Sequence, residues 1–454
     1  AIGYAAYNVG TSGIGNTVVG YEALDAEDDG DFNTAIGYEA LTSQTGISGT
    51  VGNTAVGYRA GKAVTSGKEL TFIGYNSGLN NTSGLYNTAV GSNAFVTNVD
   101  GDENTAIGYA ALYSFEPGNG EGKNVAVGSN ASFHLDTGQF NTMVGAGAGQ
   151  SSAGTITYAS NTGVGYRALF AITTGGSNTA IGAYAGDAIT TTSNCVLIGM
   201  NAGTSINHTD ANGTTIVGRD AGESITSAIG SVLMGYNTGN QISTGDYNTA
   251  IGYQALDAED DGARNTAIGY QALTDQTGTS GEVHNTAVGY TAGANITTGI
   301  RNTIVGSESG DGGTTMSGSV FVGQGAGGTV STGNNNIAIG NEAMHGGTVT
   351  GDNNIAIGAD AGDTLTSGYS NILIGKDAGD RLDTGYNNVA IGEGAGDNMN
   401  SANSNVAVGA GAMSTTDDGV SNTAVGAFSM QHGNAGTANT AVGAQSMIDV
   451  TGNY

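Results

Sequence analysis

Tryptophan is absent from this 454-residue chain, proline and cysteine occur once each, and lysine and arginine together number only 10. The near absence of proline, with glycines that do not fall at every third position, excludes a collagen triple helix. Cys195 stands alone, so no intrachain disulfide staples the fold. Ten cations against 39 carboxylates leave a formal charge of −29, which repels phosphate backbones and anionic membranes and sets nucleic acid aside as a partner. No apolar run approaches the roughly 18 residues of a membrane helix. Aromatic residues make up 6% of the chain and hydrophobic ones 38%, too little for ordinary compact cores.

What is abundant is glycine, 82 in all, and it is periodic. A glycine preceded by Ile or Val, or once by Met234, returns from Gly3 to Gly443 in 26 units, nineteen of the 25 spacings being 17 residues and four being 20. Disorder gives no reason for a β-branched residue at fixed phase along a whole chain. A short unit that cannot bury its own apolar face must stack on the next, so the period predicts an all-β parallel β-solenoid of about 26 coils, a single repeat region over 1–454.

Counting the repeat glycine as zero, position −3 is Thr, Val or Ile and position −1 is Ile or Val in all but one unit. The pairs Thr34/Ile36, Thr54/Val56 and Thr266/Ile268, with Ile357 and Ile391, stand before Gly37, Gly57, Gly269, Gly358 and Gly392. Residues two apart share a strand face, so these form a continuous β-branched stripe. The stripe is expected to be buried, so that Ile268→Asp would unravel neighbouring coils. The opposite face carries Ala at −2, as at Ala35 and Ala267, and is expected to admit another wall or another subunit close to the backbone. Position +3 is mostly Ala, a second inward contact, and position +4 alternates between Leu and Gly.

Asn recurs at −4, including Asn16, Asn33, Asn53, Asn87, Asn248, Asn265 and Asn439, and is expected to form a column of stacked, hydrogen-bonded amides. Three residues earlier a glycine is common, as at Gly84 and Gly368, where a positive φ is expected to turn the chain. Tyr follows the repeat glycine at Tyr21, Tyr38, Tyr253, Tyr270 and elsewhere. It predicts an aromatic packing ladder with, as the alternative, a lateral contact track for host-surface glycans. Beyond Gly306 no Tyr holds this place.

Acidic clusters at 25–31 and 257–262 belong to a near-copy in which residues 16–58 match 248–290. Such carboxylates could gather Ca²⁺, yet no calcium-loop pattern accompanies them, and a solvated repulsive rim is the simpler reading. The 20-residue spacings are expected to extrude loops, as at 45–50 and 277–282. His134, His208, His284, His345 and His432 fall at unrelated phases. They suggest neither a metal cluster nor a nucleophile and base pair, and no catalytic residue and no cofactor are predicted. The chain opens within Asn-Thr-Ala-Ile-Gly and closes on Thr451-Gly452-Asn453-Tyr454, with no signal-peptide pattern, which reads as an interior stretch of a longer polypeptide.

Asn-Thr-Ala-Ile-Gly-Tyr-Glu-Ala-Leu at 33–41 and Asn-Asn-Val-Ala-Ile-Gly-Glu-Gly-Ala at 387–395 resemble the head repeat of trimeric autotransporter adhesins and, more closely, the repeat-rich shafts of bacteriophage tail fibres. The adhesin coil is shorter and usually has Ser where this chain has Thr34 or Thr266. The resemblance implies a homotrimeric β-roll with aliphatic positions inward, here Ala35 and Ile36, Ala267 and Ile268, or Ala390 and Ile391. It also implies a structural shaft of an extracellular fibre, on a virion or a cell surface, that presents a host-receptor-binding tip. Its partners would be itself and other fibre or virion proteins through flanking regions. A bacterial surface adhesin and an extracellular filament protein are the alternative owners of such repeats.

Overall fold

In the computed structural model the chain divides into two compact units, Ala1–Gly230 and Ser231–Tyr454. All residues are described except 46–47, 118–119, 153–154, 278–280, 416–417, 434–435 and 451–454. The tips of the expected loops at 45–50 and 277–282, and the closing residues 451–454, therefore lie outside the described residues.

Each unit is a parallel β-solenoid, about two dozen coils in all. Three-residue strands run from Thr17–Val19 to Thr215–Val217 in the first unit and from Val232–Met234 to Thr440–Val442 in the second. Successive strands pair in parallel and in register within each unit, Thr34 on Thr54 and Ile355 on Ile372, so every residue lies over its counterpart one coil away. Two of the coils with a spacing of 20 add a second short pairing: Gly30–Asp31 beside Gly49–Thr50, and Gly262–Ala263 beside Gly281–Glu282.

The repeat glycine is dictated by backbone crowding. Gly375 has φ +133°, and a Cβ placed there would lie 2.5 Å from the carbonyl oxygen of Gly392, the equivalent glycine one coil on. Side-chain-bearing residues rarely adopt that φ, and none fits that gap. After the glycine, positions +2 and +4 both take left-handed backbone, as at Glu39 (φ 53°) and Leu41 (φ 52°). Their N–H groups serve opposite neighbours: Glu39 donates to the Tyr21 carbonyl of the preceding coil, and Leu41 to the Ala60 carbonyl of the next.

The interior is made of alanine. Ala35, Ala55, Ala267 and Ala390 at −2, and Ala40, Ala60 and Ala272 at +3, are all fully buried. The expectation that −3 and −1 form a buried stripe is therefore overturned, and of the two readings of the −2 face, another wall or another subunit, the buried alanines fit a wall of the same chain. Ile36 is 37% exposed and Ile391 37%, while Val56, Ile268 and Ile357 at −1, with Thr34, Thr54 and Thr266 at −3, are half-buried on the outside. The pair Thr54 and Val56 shows why: Ala55 between them takes the inward place, and alternation along the strand sends both neighbours out. The inner space opposite the strand is filled from +4 and from +7. Where +4 is glycine an aliphatic stands at +7 in most coils, and a Cβ on Gly186 would meet Ile189 Cδ1 at 3.0 Å, whereas Gly78 faces the large Phe72 and has Asn81 at +7. Where +4 is Leu41, position +7 is the buried Gln44.

The glycines at Gly84 and Gly368 correct a second expectation, since neither has positive φ; the left-handed residues are Tyr86 (φ 59°) and Ser370 (φ 57°). Gly84 is needed for closeness instead, because a Cβ there would lie 2.5 Å from the Gly101 carbonyl oxygen.

Candidate interaction surface

Asn at −4 ties the coils together from inside. The backbone and side-chain N–H groups of Asn104 both donate to Asn87 Oδ1 (2.9 and 3.1 Å), and Asn87 Nδ2 donates to the Gly101 carbonyl (2.7 Å). In the second unit the backbone N–H of each of Asn354, Asn371, Asn388, Asn405, Asn422 and Asn439 donates to the amide oxygen of the Asn one coil before. Asn248 and Asn265 make the same link, as do Asn16, Asn33 and Asn53. A buried amide spanning two coils leaves little polar capacity for an outside ligand. Cys195 substitutes in this column with its sulfur 3.4 Å from the Ala211 carbonyl; burial pushes its thiol pKa up and keeps it inert.

The outer strand face presents three columns: −3, −1 and +1. In the first unit −3 is Thr in most strands, and +1 opens with Tyr4, Tyr21, Tyr38, Tyr58 and Tyr75. Their rings stack at 5.0–5.3 Å with planes within 13° of parallel. In the second unit Tyr236, Tyr253, Tyr270 and Tyr290 repeat the arrangement at 5.1–5.4 Å. Stacking covers the ring faces of Tyr21, Tyr38, Tyr253 and Tyr270, so a sugar has only their edges and hydroxyls to meet. Glu22, hydrogen-bonded to the Tyr21 phenol and close to it, pushes that phenol up to about 12.

Further along the second unit the face changes. Positions −3 and −1 become aliphatic together in six successive strands, Val320–Val322, Ile337–Ile339, Ile355–Ile357, Ile372–Ile374, Val389–Ile391 and Val406–Val408. All twelve outward side chains are half-buried to exposed. Twelve partly exposed Val and Ile side chains form a continuous apolar strip on the order of several hundred Å², a size that marks contact surfaces on soluble proteins.

The acidic corners resolve into two kinds of carboxylate. Glu27 is buried, and its Oε1 accepts from the N–H groups of Asp28, Asp29 and Gly30 (3.1, 3.2 and 2.8 Å) while Oε2 accepts from Gln44 Nε2 (2.5 Å). Glu27, Asp28 and Asp29 have carboxylate oxygens within 4.8 Å of one another, the one such group of three among the described residues. Because Glu27 already caps a turn, its oxygens are engaged, which makes a poor calcium cage. Its counterpart Glu259 caps the same turn through Asp260 and Gly262, and burial raises its pKa to about 7. Residue type alone does not set either glutamate apart from the rim. The signal lay in phase: both occupy +7, a place filled elsewhere by Val64, Ile189, Ile242 and Leu365, all fully buried.

Among the described residues no helix is long and apolar enough to cross a membrane. A scan against protein-family models finds no match, and a search of the curated proteins finds no relative.

Proposed function

We propose that this chain is the shaft of an extracellular fibre, a bacteriophage tail fibre that holds a receptor-binding tip away from the particle, and that it works as a homotrimer. Residues 1–454 form one continuous repeat region in this reading. The observation that carries it is the aliphatic strip from Val320 to Val408. A chain of charge −29 has ample means of covering its surface with polar groups, yet it leaves two columns of Val and Ile facing outward. Burying that strip against equivalent strips of two further copies removes it from water at about 25 cal/mol per Å². Three-fold association also gives a narrow alanine-filled coil the girth that its own core lacks. A bacterial surface adhesin is the second reading, favoured by the likeness of 33–41 to adhesin head repeats.

Sedimentation equilibrium tests the assembly. The expected mass is three times the chain's 44.7 kDa, falling to 44.7 kDa for the double variant Ile357→Asp, Ile374→Asp with an unchanged circular-dichroism spectrum. Wild-type protein that sediments at 44.7 kDa at micromolar concentration overturns it. The shaft role is tested by deleting whole 17-residue coils, which should shorten the fibre and preserve host choice. Loss of host recognition with the trimer intact would place the binding surface within these coils.

A further inference from the structure

The tyrosine column is interrupted in the first unit at Ser92, at Ser129 and Ala146, and from Ala183 on, and the interruption at Ser129 and Ala146 makes a notch. Position +1 is Ser129 and then Ala146 in two successive coils, and the second reads Gly145-Ala146-Gly147-Ala148-Gly149, a stretch without a side chain larger than methyl. Over it lies an open cavity of about 340 Å³. Ser129 and Asn130 stand on one side of the bare coil, Gln150 beyond its end, and Tyr166, Arg167 and Phe170 on the other side.

Two features coincide at this place. Tyr166 is 51% exposed and is not in a parallel stack: its ring meets Tyr184 edge-on, at 86°, and the +1 residue one coil before it is Ala146. A ring face that neighbouring tyrosines cover in the ladders is open here. Arg167 is held flat, its guanidinium carbon 3.9 Å from the centre of the Phe170 ring. Its Nε is buried without a hydrogen-bond partner, and its Nη2 lies 3.7 Å from Asp187 Oδ2, beyond hydrogen-bond range. A buried guanidinium N–H without an acceptor is costly, and since the side chain keeps 35% of its surface exposed, a planar carboxylate can pair with the guanidinium N–H groups that remain accessible.

An open aromatic face, a fixed and under-used guanidinium, and amides and a hydroxyl at Asn130, Gln150 and Ser129 make a set of donors and acceptors around a stacking platform. The geometry points to a saccharide-binding site at Ala146–Gly147 that takes a carboxylate-bearing sugar residue, its apolar ring face on Tyr166 and its carboxylate on Arg167. The sequence separates it from a similar notch in the second unit. The comparable notch at Ala410 and Gly411 has Phe428 as its wall but is lined by Asp377, Glu393 and Asp397, which repel the same ligand.

The test uses the whole chain and two probes, tri-galacturonic acid and the neutral maltotriose, followed by saturation-transfer NMR and titration of tyrosine fluorescence. Tri-galacturonic acid should bind, and maltotriose at least about tenfold more weakly. Arg167→Gln should weaken the uronate about tenfold, the scale of one lost charge-assisted pair, and leave maltotriose unchanged. Ala146→Tyr, which restores the ladder and fills the notch, should abolish binding while the melting curve stays at or above wild type. Absence of uronate binding by the wild type, equal binding by Ala146→Tyr, or indifference to Arg167→Gln each overturns the assignment. The site lies within the first unit, so these outcomes are independent of the mass measurement that tests the shaft.

Discussion

Coils 249–290 and coils 320–408 of the second unit share an interior and differ in their exterior. Inside, both stack buried alanines at +3 and, Phe321 and Leu373 apart, at −2, on repeat glycines near φ +140°, beside linked Asn or Ser at −4. Outside, the first carries Thr at −3 and a stacked Tyr ladder at +1, whereas the second carries Ile or Val at −3 and Gln324, Asn341, Ala359, Lys376, Glu393 or Ala410 at +1. The fold is thus set by residues that hardly vary between the regions, and the outward columns are free to be changed for contact. A stripe that varies from Thr to Ile without disturbing a single strand pairing is a surface feature rather than a core.

Valine at a repeat glycine should break both regions alike. Gly375→Val and Gly269→Val each push a side chain into the carbonyl of the next coil at a φ that valine does not tolerate. Each should cost more than about 3 kcal/mol, read as a lowered thermal midpoint and loss of local hydrogen-exchange protection. Aspartate at −1 should instead separate the regions. Ile357→Asp is expected to abolish self-association, while Ile268→Asp, among Thr neighbours, should weaken it less, and both variants should retain their melting curves within about 1 kcal/mol because the side chains face outward. Equal loss of folding in both would return the stripe to the core.

Acidity should act on both regions, on the first through Glu259 and on the second through Asp380, whose carboxyl burial pushes up to about 6. The folded pKa of Glu259, about 7, lies above the ordinary value because burial disfavours the carboxylate, against the pull of the Gly262 and Asp260 N–H groups. Folding therefore favours the protonated acid, whose stabilisation is full below pH ~4.5 and is lost as pH rises through about 7. Hydrogen exchange around 257–262 should slow by up to about two orders of magnitude between pH 8 and 5 once corrected for intrinsic rates, equivalent to ~3 kcal/mol at most. Glu259→Gln should remove this dependence. The smallest effect belongs to the ladder: Tyr270→Ala should cost about 0.5–1.5 kcal/mol in thermal unfolding, through two lost ring contacts.

The coil period, the strand at each Thr-Ala-Ile and the Asn column could be read directly from the repeat, because each follows from spacing and from the chemistry of one residue type. The facing of the strand could not. Alternation says that Thr34 and Ile36, or Thr54 and Val56, share a side and that Ala35 or Ala55 takes the other, but hydrophobicity favours Ile and Val inside, whereas the narrow coil has room for only a methyl group at most strands. Where Phe72 or Leu373 stands at −2, the neighbouring +4 residues are Gly78 and Gly379, a volume exchange visible only once both are known to point inward. The notch was hidden for a similar reason: Ala146 and Gly147 are ordinary letters in a glycine-rich text until the tyrosines around them are seen as columns.

The backbone bonds between coils have a mechanical consequence. They point along the direction in which the coils of a unit stack, as in the donation from Gly37 N–H to the Val19 carbonyl, and the Asn links run the same way. Tension in that direction loads one interface in series with the next, so the chain yields by peeling single coils instead of shearing a whole sheet at once. Each peeled coil releases about 17 residues of slack, and a unit under load becomes a shock absorber that lengthens in steps and rewinds when the pull stops.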